Sequence, residues 1–167
     1  MPFHNLTLRP ITETDTGFLR ALYASTREDE MRNVPWDLTA KEAFLDQQFD
    51  AQHRYYQAHY QGADFSLVLD GGQPIGRLYL FRGPATYNLI DIALIADRRG
   101  RGIGRHLLDH VLAEADALGR SIRLFVEPAN PARRLYERLG FRETGQHQVY
   151  LQMTREAVFP VAQERSA

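Results

Sequence analysis

The chain contains no cysteine. That single absence excludes a disulfide scaffold, a thiolate nucleophile and any zinc or iron-sulfur site built on sulfur ligands. Long apolar runs are missing too: none approaches the roughly 20 residues that a membrane-spanning helix needs. The opening residues MPFHNLTLRP carry neither the basic end nor the apolar stretch of a secretory signal, so a soluble, cytoplasmic protein without a membrane partner is expected. Charge of one sign is also lacking. Twenty Lys and Arg balance 21 Asp and Glu, for a net charge of −1, which argues against a broad phosphate-tracking surface and hence against a nucleic-acid partner. Any anion site in this chain must be local.

At 167 residues the chain is long enough to bury a two-layer core as one domain without a staple. Alternation over Leu6–Ile11 reads as a first strand, followed by a helix capped by Thr14 or Asp15 that carries Phe18, Leu19 and Leu22 on one face. The segment REDEMRNVPWD reads as a polar connection. Thr39 and Glu42 then stand at capping-box spacing, opening a long helix toward Tyr60 whose aromatics form no clean stripe. Two strands, DFSLVLD and IGRLYLF, flank the turn GGQP, where Gly71 and Gly72 supply positive φ. YNLIDIALI is the next strand. Ile103, Leu107, Leu108, Val111, Leu112, Ala115 and Leu118 recur at helical spacing as far as Gly119. SIRLFVE is a strand; Asn130 and Pro131 open a short helix that stops at Gly140, and FRETG and QVYLQM close the chain as strands. The expected fold class is therefore α/β, an α+β arrangement on a mixed sheet, with a polar tail from about 154 to 167.

The most informative stretch is RRGRGIGRHLL, Arg98 to Leu108, lying between a strand and a helix. Glycine costs backbone entropy, and three of them at alternate positions, Gly100, Gly102 and Gly104, need a reason. A glycine-rich turn that opens a helix converges backbone N–H groups on one point, and the helix dipole adds partial positive charge. Side chains there would hold a phosphate away from the amides, whereas Arg99, Arg101 and Arg105 can add charge around it. A P-loop would need Lys followed by Ser or Thr after its last glycine, and Arg105 and His106 stand there instead. The dinucleotide fingerprint fails as well, because Leu107 occupies the place of its third small residue.

Arg99-x-x-Gly102-x-Gly104 does match the Q/R-x-x-G-x-G/A segment of the GNAT superfamily of acyl-CoA-dependent N-acyltransferases. Downstream, NPARRLYERLGF, Asn130 to Phe141, resembles the second signature of that family, with its alanine displaced to Ala132. The order of strands and helices agrees from about Leu6 to Met153, so the resemblance spans nearly the whole chain, residues 1–167 reading as one GNAT-like domain. It implies a central, mostly antiparallel sheet with one parallel strand pair, flanked by helices.

The resemblance also implies a chemistry and the residues for it. Backbone N–H groups from Gly100, Arg101, Gly102, Ile103, Gly104 and Arg105 would take the pyrophosphate of coenzyme A, with Arg99 a further cofactor-binding residue. Ile92, Ala93 and Leu94 fall where GNAT enzymes pair the pantetheine arm like an added strand and aim a backbone N–H at the thioester oxygen. Asn130 matches the asparagine that contacts the cofactor arm, and Tyr136 the tyrosine that protonates the departing thiolate; the alternative for Tyr136 is a plug fixing its helix to the sheet. The base is less well matched: Phe125 occupies one position where relatives place a glutamate. Asp91, next to the pantetheine segment, is the nearest carboxylate and Glu127 the second, and a carboxyl buried in LIDIAL would have a raised pKa suited to a base. A structural role for Asp91 stands beside that reading.

Acetyl-CoA is thus the expected cofactor, and the acceptor an amine on a small molecule or peptide, attacked directly in a ternary complex since no thiol exists. The alternatives are a non-catalytic acyl-CoA-binding module and a nucleotide-binding protein. Acidic Glu28, Asp29 and Glu30 with Trp36 lie in the connection expected over the acceptor, as either a steering patch or a solvated helix end. Tyr79, Phe81 and Tyr87 line a pocket or fill the core. His106 and His110 stand one helical turn apart without the flanking residues of a zinc site, so no metal is expected. An exposed edge strand near the end of the sheet makes a homodimer a reasonable expectation.

Overall fold

The computed structural model describes residues 3–159. Seven strands form one mixed sheet in the order β1-β2-β3-β4-β5-β7-β6, the fold class the sequence implies. They are β1 (Leu6–Pro10), β2 (Asp64–Asp70), β3 (Gln73–Arg82), β4 (Thr86–Leu94), β5 (Ser121–Val126), β6 (Arg142–His147) and β7 (Tyr150–Arg155). Five helices join them: α1 (Thr16–Thr26), α2 (Glu28–Arg32), α3 (Leu38–His59), α4 (Ile103–Ala117) and α5 (Ala132–Arg138). The parallel pair is β4 with β5, in register over Thr86–Asn88 and Ser121–Arg123. The described chain folds as two compact units: residues up to Tyr79 with Asp91–Gly104, and Leu80–Ile90 with residues from Arg105 on.

In the first unit, β1 and β2 pair antiparallel from Leu6 opposite Asp70 to Pro10 opposite Ser66. Gly71 and Gly72 turn β2 into β3 with φ of +57° and +85°, which a side chain would disfavour at both positions. Leu19, Tyr23, Met31, Leu45, Phe49 and Leu67 make the buried cluster of this unit. Met31 belongs to α2, a short helix where the sequence reads as plain connection; that one apolar residue, packed into the core, gives the polar segment its reason to coil. The cap of α3 also differs from expectation. Asp37, not Thr39, is the capping residue: its carboxylate accepts from the Ala40 N–H at 2.8 Å, so the helix starts at Leu38.

Asp15 stands at the N-cap of α1, as one of the two expected candidates, but its side chain reaches backward. It accepts from the Thr12 N–H at 2.7 Å and from the Arg9 guanidinium at 2.9 and 3.0 Å. The hydrogen bonds from Arg9, opposed by partial desolvation and helped by Thr12, hold its carboxyl down at about 2. A depressed folded pKa contributes stability above the unfolded value and loses it as pH falls through the folded one. Asp15→Asn should therefore lower the melting temperature at pH 7 and by clearly less near pH 2, where the carboxyl is already half protonated; equal deficits at both pH values would refute the ion pair's contribution.

In the second unit β5 and β7 alternate buried and outward residues along their shared register, Leu124 opposite Met153 and Val126 opposite Leu151. Helix α4 buries Leu107, Leu108, Val111, Leu112 and Ala115, as its spacing predicts. Leu118 departs from that stripe: the helix ends at Ala117, and Leu118, 56% exposed, stands on its last turn just before Gly119 redirects the chain at φ +68°. Arg155 ends β7 in an ion pair with Asp116 at 2.7 Å, and Asp116 also accepts from the Val158 N–H at 2.9 Å. β7 runs two residues past Met153; residues 160–167 of the expected polar tail lie outside the described residues.

Candidate functional site

From Ile95 the chain makes a single 3-10 turn, Ala96–Arg98, extends at Arg99 and enters the glycines. Gly100 and Gly102 take φ of +71° and +82°, conformations that favour glycine, and α4 begins at Ile103. Gly104 serves differently: its φ is ordinary, and a Cβ there or on Gly100 would meet nothing within 4 Å. A glycine turn with open space beside Gly100 and Gly104, running into a helix start, is a setting in which backbone N–H groups can converge on an anion.

The arginines divide the work around this turn. Arg98 is paired with Asp70. Arg99 reaches back, its Nε donating to the Leu94 carbonyl at 2.9 Å and its NH2 to the Ser25 hydroxyl at 3.0 Å, so this side chain braces the turn against the end of β4 and against α1. Arg101 and Arg105 are exposed, and Arg105 lies 3.9 Å from Asp109, a distance that leaves its charge to solvent.

Ile92, Ala93 and Leu94 are half-buried on the last residues of β4. Asp91 precedes them with its carboxylate 27% exposed. Its Oδ2 accepts from the Arg77 Nε at 2.5 Å, and the Arg77 guanidinium, 4% exposed, donates in turn to the Gln52 side chain at 3.0 Å. Arg77 also lies 4.8 Å from the Tyr79 ring centroid. Burial works against the Arg77 charge, but the Asp91 carboxylate, with Tyr79 and Tyr56 adding to it, holds the guanidinium above its ordinary pKa. Burial likewise raises the Tyr79 phenol, against the pull of Arg77. Tyr79 and Tyr87 are core residues; Tyr87 donates to Glu114 at 2.6 Å.

In the second unit Asn130 is exposed one residue before Pro131, the N-cap of α5, and its Oδ1 accepts from the Ala132 N–H at 2.9 Å. Tyr136 is 8% exposed, with its ring edge-on to Phe141 at 5.8 Å. Gly140, at φ +98°, lets the chain leave α5 and bring Phe141 under Tyr136. Phe125 is 38% exposed, beside Arg123. Two of the three acids on α2 are paired locally, Glu30 with Arg27 at 3.0 Å and Asp29 with Arg32 at 2.9 Å. His106 and His110 pack ring against ring at 4.7 Å, and among the described residues no three His, Cys, Asp or Glu side chains gather to hold a metal ion.

Residues 18–141 match the family model described as Acetyltransferase (GNAT) family. The chain belongs to the GNAT acetyltransferase family. A comparison with curated proteins returned no match. Among solved structures, the PaiA N-acetyltransferase of Thermoplasma acidophilum, in complex with coenzyme A, superposes with a TM-score of 0.66 at 14% identity, over 90% of this chain and 98% of that one. An acetyltransferase from Thermus thermophilus gives 0.65 at 20% identity over 91% and 97%, and a GNAT-family acetyltransferase from Staphylococcus aureus gives 0.63 at 19% over 92% and 99%. At such identities these likenesses speak for the fold, and the GNAT family for acyl-CoA-dependent acyl transfer as the general activity. No helix among the described residues is long and apolar enough to cross a membrane.

Two features of this GNAT chain carry no mark in the sequence motifs. One is the Arg77–Asp91 pair, signalled only by an arginine inside the apolar strand IGRLYLF. The other is Gly76 in the same strand: an interior strand glycine marks a close backbone approach. A Cβ on Gly76 would stand 2.3 Å from the Ala93 carbonyl oxygen.

Proposed function

We propose that this GNAT protein moves an acetyl group from acetyl-CoA to the amine of a small molecule or peptide, by direct attack within a ternary complex. The observation that carries the reading is the turn from β4 into α4: two positive-φ glycines, open space where side chains would stand, and a helix that begins at once. Amides of Gly100 to Arg105 hold the pyrophosphate, with Arg101 and Arg105 adding charge and Arg99 fixing the turn. Acetyl-CoA supplies the acyl group as an activated thioester.

In this reading Ile92 and Leu94 offer backbone groups to the pantetheine arm, and a backbone N–H of this segment, among Ile92, Ala93 and Leu94, stabilises the oxyanion, an effect typically worth ~3 kcal/mol. Asp91 accepts the proton that the attacking amine loses. Tyr136 gives its proton to the leaving sulfur, general acid catalysis that contributes roughly 10² to 10⁴ in rate, and Asn130 contacts the cofactor arm. Tyr136→Phe should then lower turnover about a hundredfold or more with CoA affinity nearly unchanged; wild-type turnover across the pH range would remove the acid role. β6, exposed at all six residues, is the edge at which a homodimer would form, which light scattering reads directly.

Calorimetric titration with acetyl-CoA, CoA, ATP and NAD in parallel tests the assignment. Micromolar binding of the CoA forms alone is expected; no binding of either would overturn it. The commitment of Asp91 to Arg77 favours one second reading, an acyl-CoA-binding module that does not transfer. It predicts the same titration with no CoA release in the presence of any amine.

A further inference from the structure

We infer that Gly76 is a positioning residue for the cofactor strand: by lacking a side chain it sets which backbone groups of Ile92–Leu94 face outward to meet the pantetheine arm. The inference rests on the acyl-CoA reading above and adds to it a residue outside both sequence signatures.

The directions follow from the hydrogen bonds at the end of β4. The Ile95 N–H donates to the Ile75 carbonyl at 2.8 Å, so the backbone of Ile95 faces β3. Ile95 is extended, at φ −62° and ψ 154°. In extended chain the backbone groups of successive residues face opposite edges, so Ala93 also faces β3 while Ile92 and Leu94 face away from it. Two independent contacts agree. The Ala93 carbonyl oxygen lies where a Gly76 Cβ would be, and the Leu94 carbonyl takes its hydrogen bond from Arg99 rather than from β3. Of the three residues in the segment, Ile92 therefore presents its N–H and C=O and Leu94 its N–H to an added strand, the Leu94 C=O being held by Arg99, and Ala93 anchors them to β3.

Gly76 is what permits that anchoring. A Cβ there would meet the Ala93 oxygen at 2.3 Å, the Leu94 Cδ2 at 2.7 Å and the Leu94 Cα at 3.2 Å. Two of these three are backbone atoms, which cannot swing aside, so any side chain must push the Ala93–Leu94 peptide outward. Peptide planarity carries the shift to the Leu94 N–H, which shares a rigid trans unit with the Ala93 carbonyl. A misplacement of about 1 Å can cost on the order of a hundredfold where alignment matters.

The test is calorimetric titration of the full chain with CoA and acetyl-CoA for wild type, Gly76→Ala and Gly83→Ala. Gly83 supplies the matched control, since its Cβ would stand 2.4 Å from the Thr86 carbonyl oxygen in the hairpin between β3 and β4. Both variants should lose thermal stability, and only Gly76→Ala should lose affinity for both ligands, by about tenfold or more. Equal affinities of the two variants would overturn the inference; failure of the wild type to bind CoA would instead bring down the acyl-CoA reading. If Gly76→Ala does not fold, amide hydrogen exchange of the wild type decides. CoA should slow exchange at Ile92 and Leu94 and leave Ala93, protected without it, unchanged. An Ala93 amide that becomes protected only when CoA is added would refute the assignment.

Discussion

Gly102→Glu is expected to abolish binding of CoA and acetyl-CoA in calorimetric titration while leaving the protein folded. Gly102 sits at φ +82° in the turn, with only ordinary contact between a Cβ and the Phe3 ring at 3.6 Å, so the substitution costs backbone strain without a steric collision. What it adds is a carboxylate beside a pyrophosphate. Like charges about 4 Å apart at an effective dielectric near 20 repel by ~4 kcal/mol, roughly a thousandfold in affinity. Gly71→Glu is the control: at φ +57° with nothing within 4 Å of a Cβ, it puts the same charge at a positive-φ glycine in the β2–β3 turn. It should melt like Gly102→Glu and bind CoA like the wild type. Intact CoA affinity in Gly102→Glu would mean that no phosphate lies on this turn.

Asp91→Ala should be strongly destabilising to the first unit. It leaves the Arg77 guanidinium, 4% exposed and unable to shed its proton, without a carboxylate. Breaking a buried pair from one side costs about 3–5 kcal/mol, on the order of a 10 °C fall in melting temperature for a chain of this size. Removing both charges with apolar replacements should recover most of that loss, so Arg77→Met combined with Asp91→Leu should melt near the wild type. The pair of variants also separates the two roles of Asp91. As a base, its loss leaves the double variant stable, able to bind CoA and slow in acyl transfer. As a structural partner of Arg77 only, its loss in the double variant leaves transfer at the wild-type rate, and the base must be sought elsewhere, with Glu127 the next carboxylate to replace.

Much of the fold was legible because it rests on local signals. The Gly71-Gly72 turn, the stripe of α4 and the glycine stops at Gly119 and Gly140 each follow from a residue's own backbone preference or from helical period. Helix α2 was not legible: four polar residues and one methionine hold no periodicity, and they coil because Met31 finds the cluster around Phe49 and Leu67. The cap of α3 was misplaced by two residues because Thr39 and Glu42 fit a capping box as well as Asp37 fits a cap, and only the hydrogen bond to Ala40 decides between them.

The candidate site divides along the same line. By itself the sequence determined the GNAT resemblance, the glycine turn and the spacings on which the proposed roles of Asn130 and Tyr136 rest, since these are written within one loop and one short helix. Only the tertiary structure decided that Arg99 turns back to Leu94 and Ser25, that Asp91 answers a buried arginine, and that Gly76 makes room for the Ala93 carbonyl. Each of these joins residues separated along the chain, Asp91 to Arg77 and Ala93 to Gly76 across neighbouring strands, Arg99 to Ser25 on a helix. A residue's neighbour across a sheet is set by register and burial, which depend on the whole folded unit, and no spacing within a single segment encodes it.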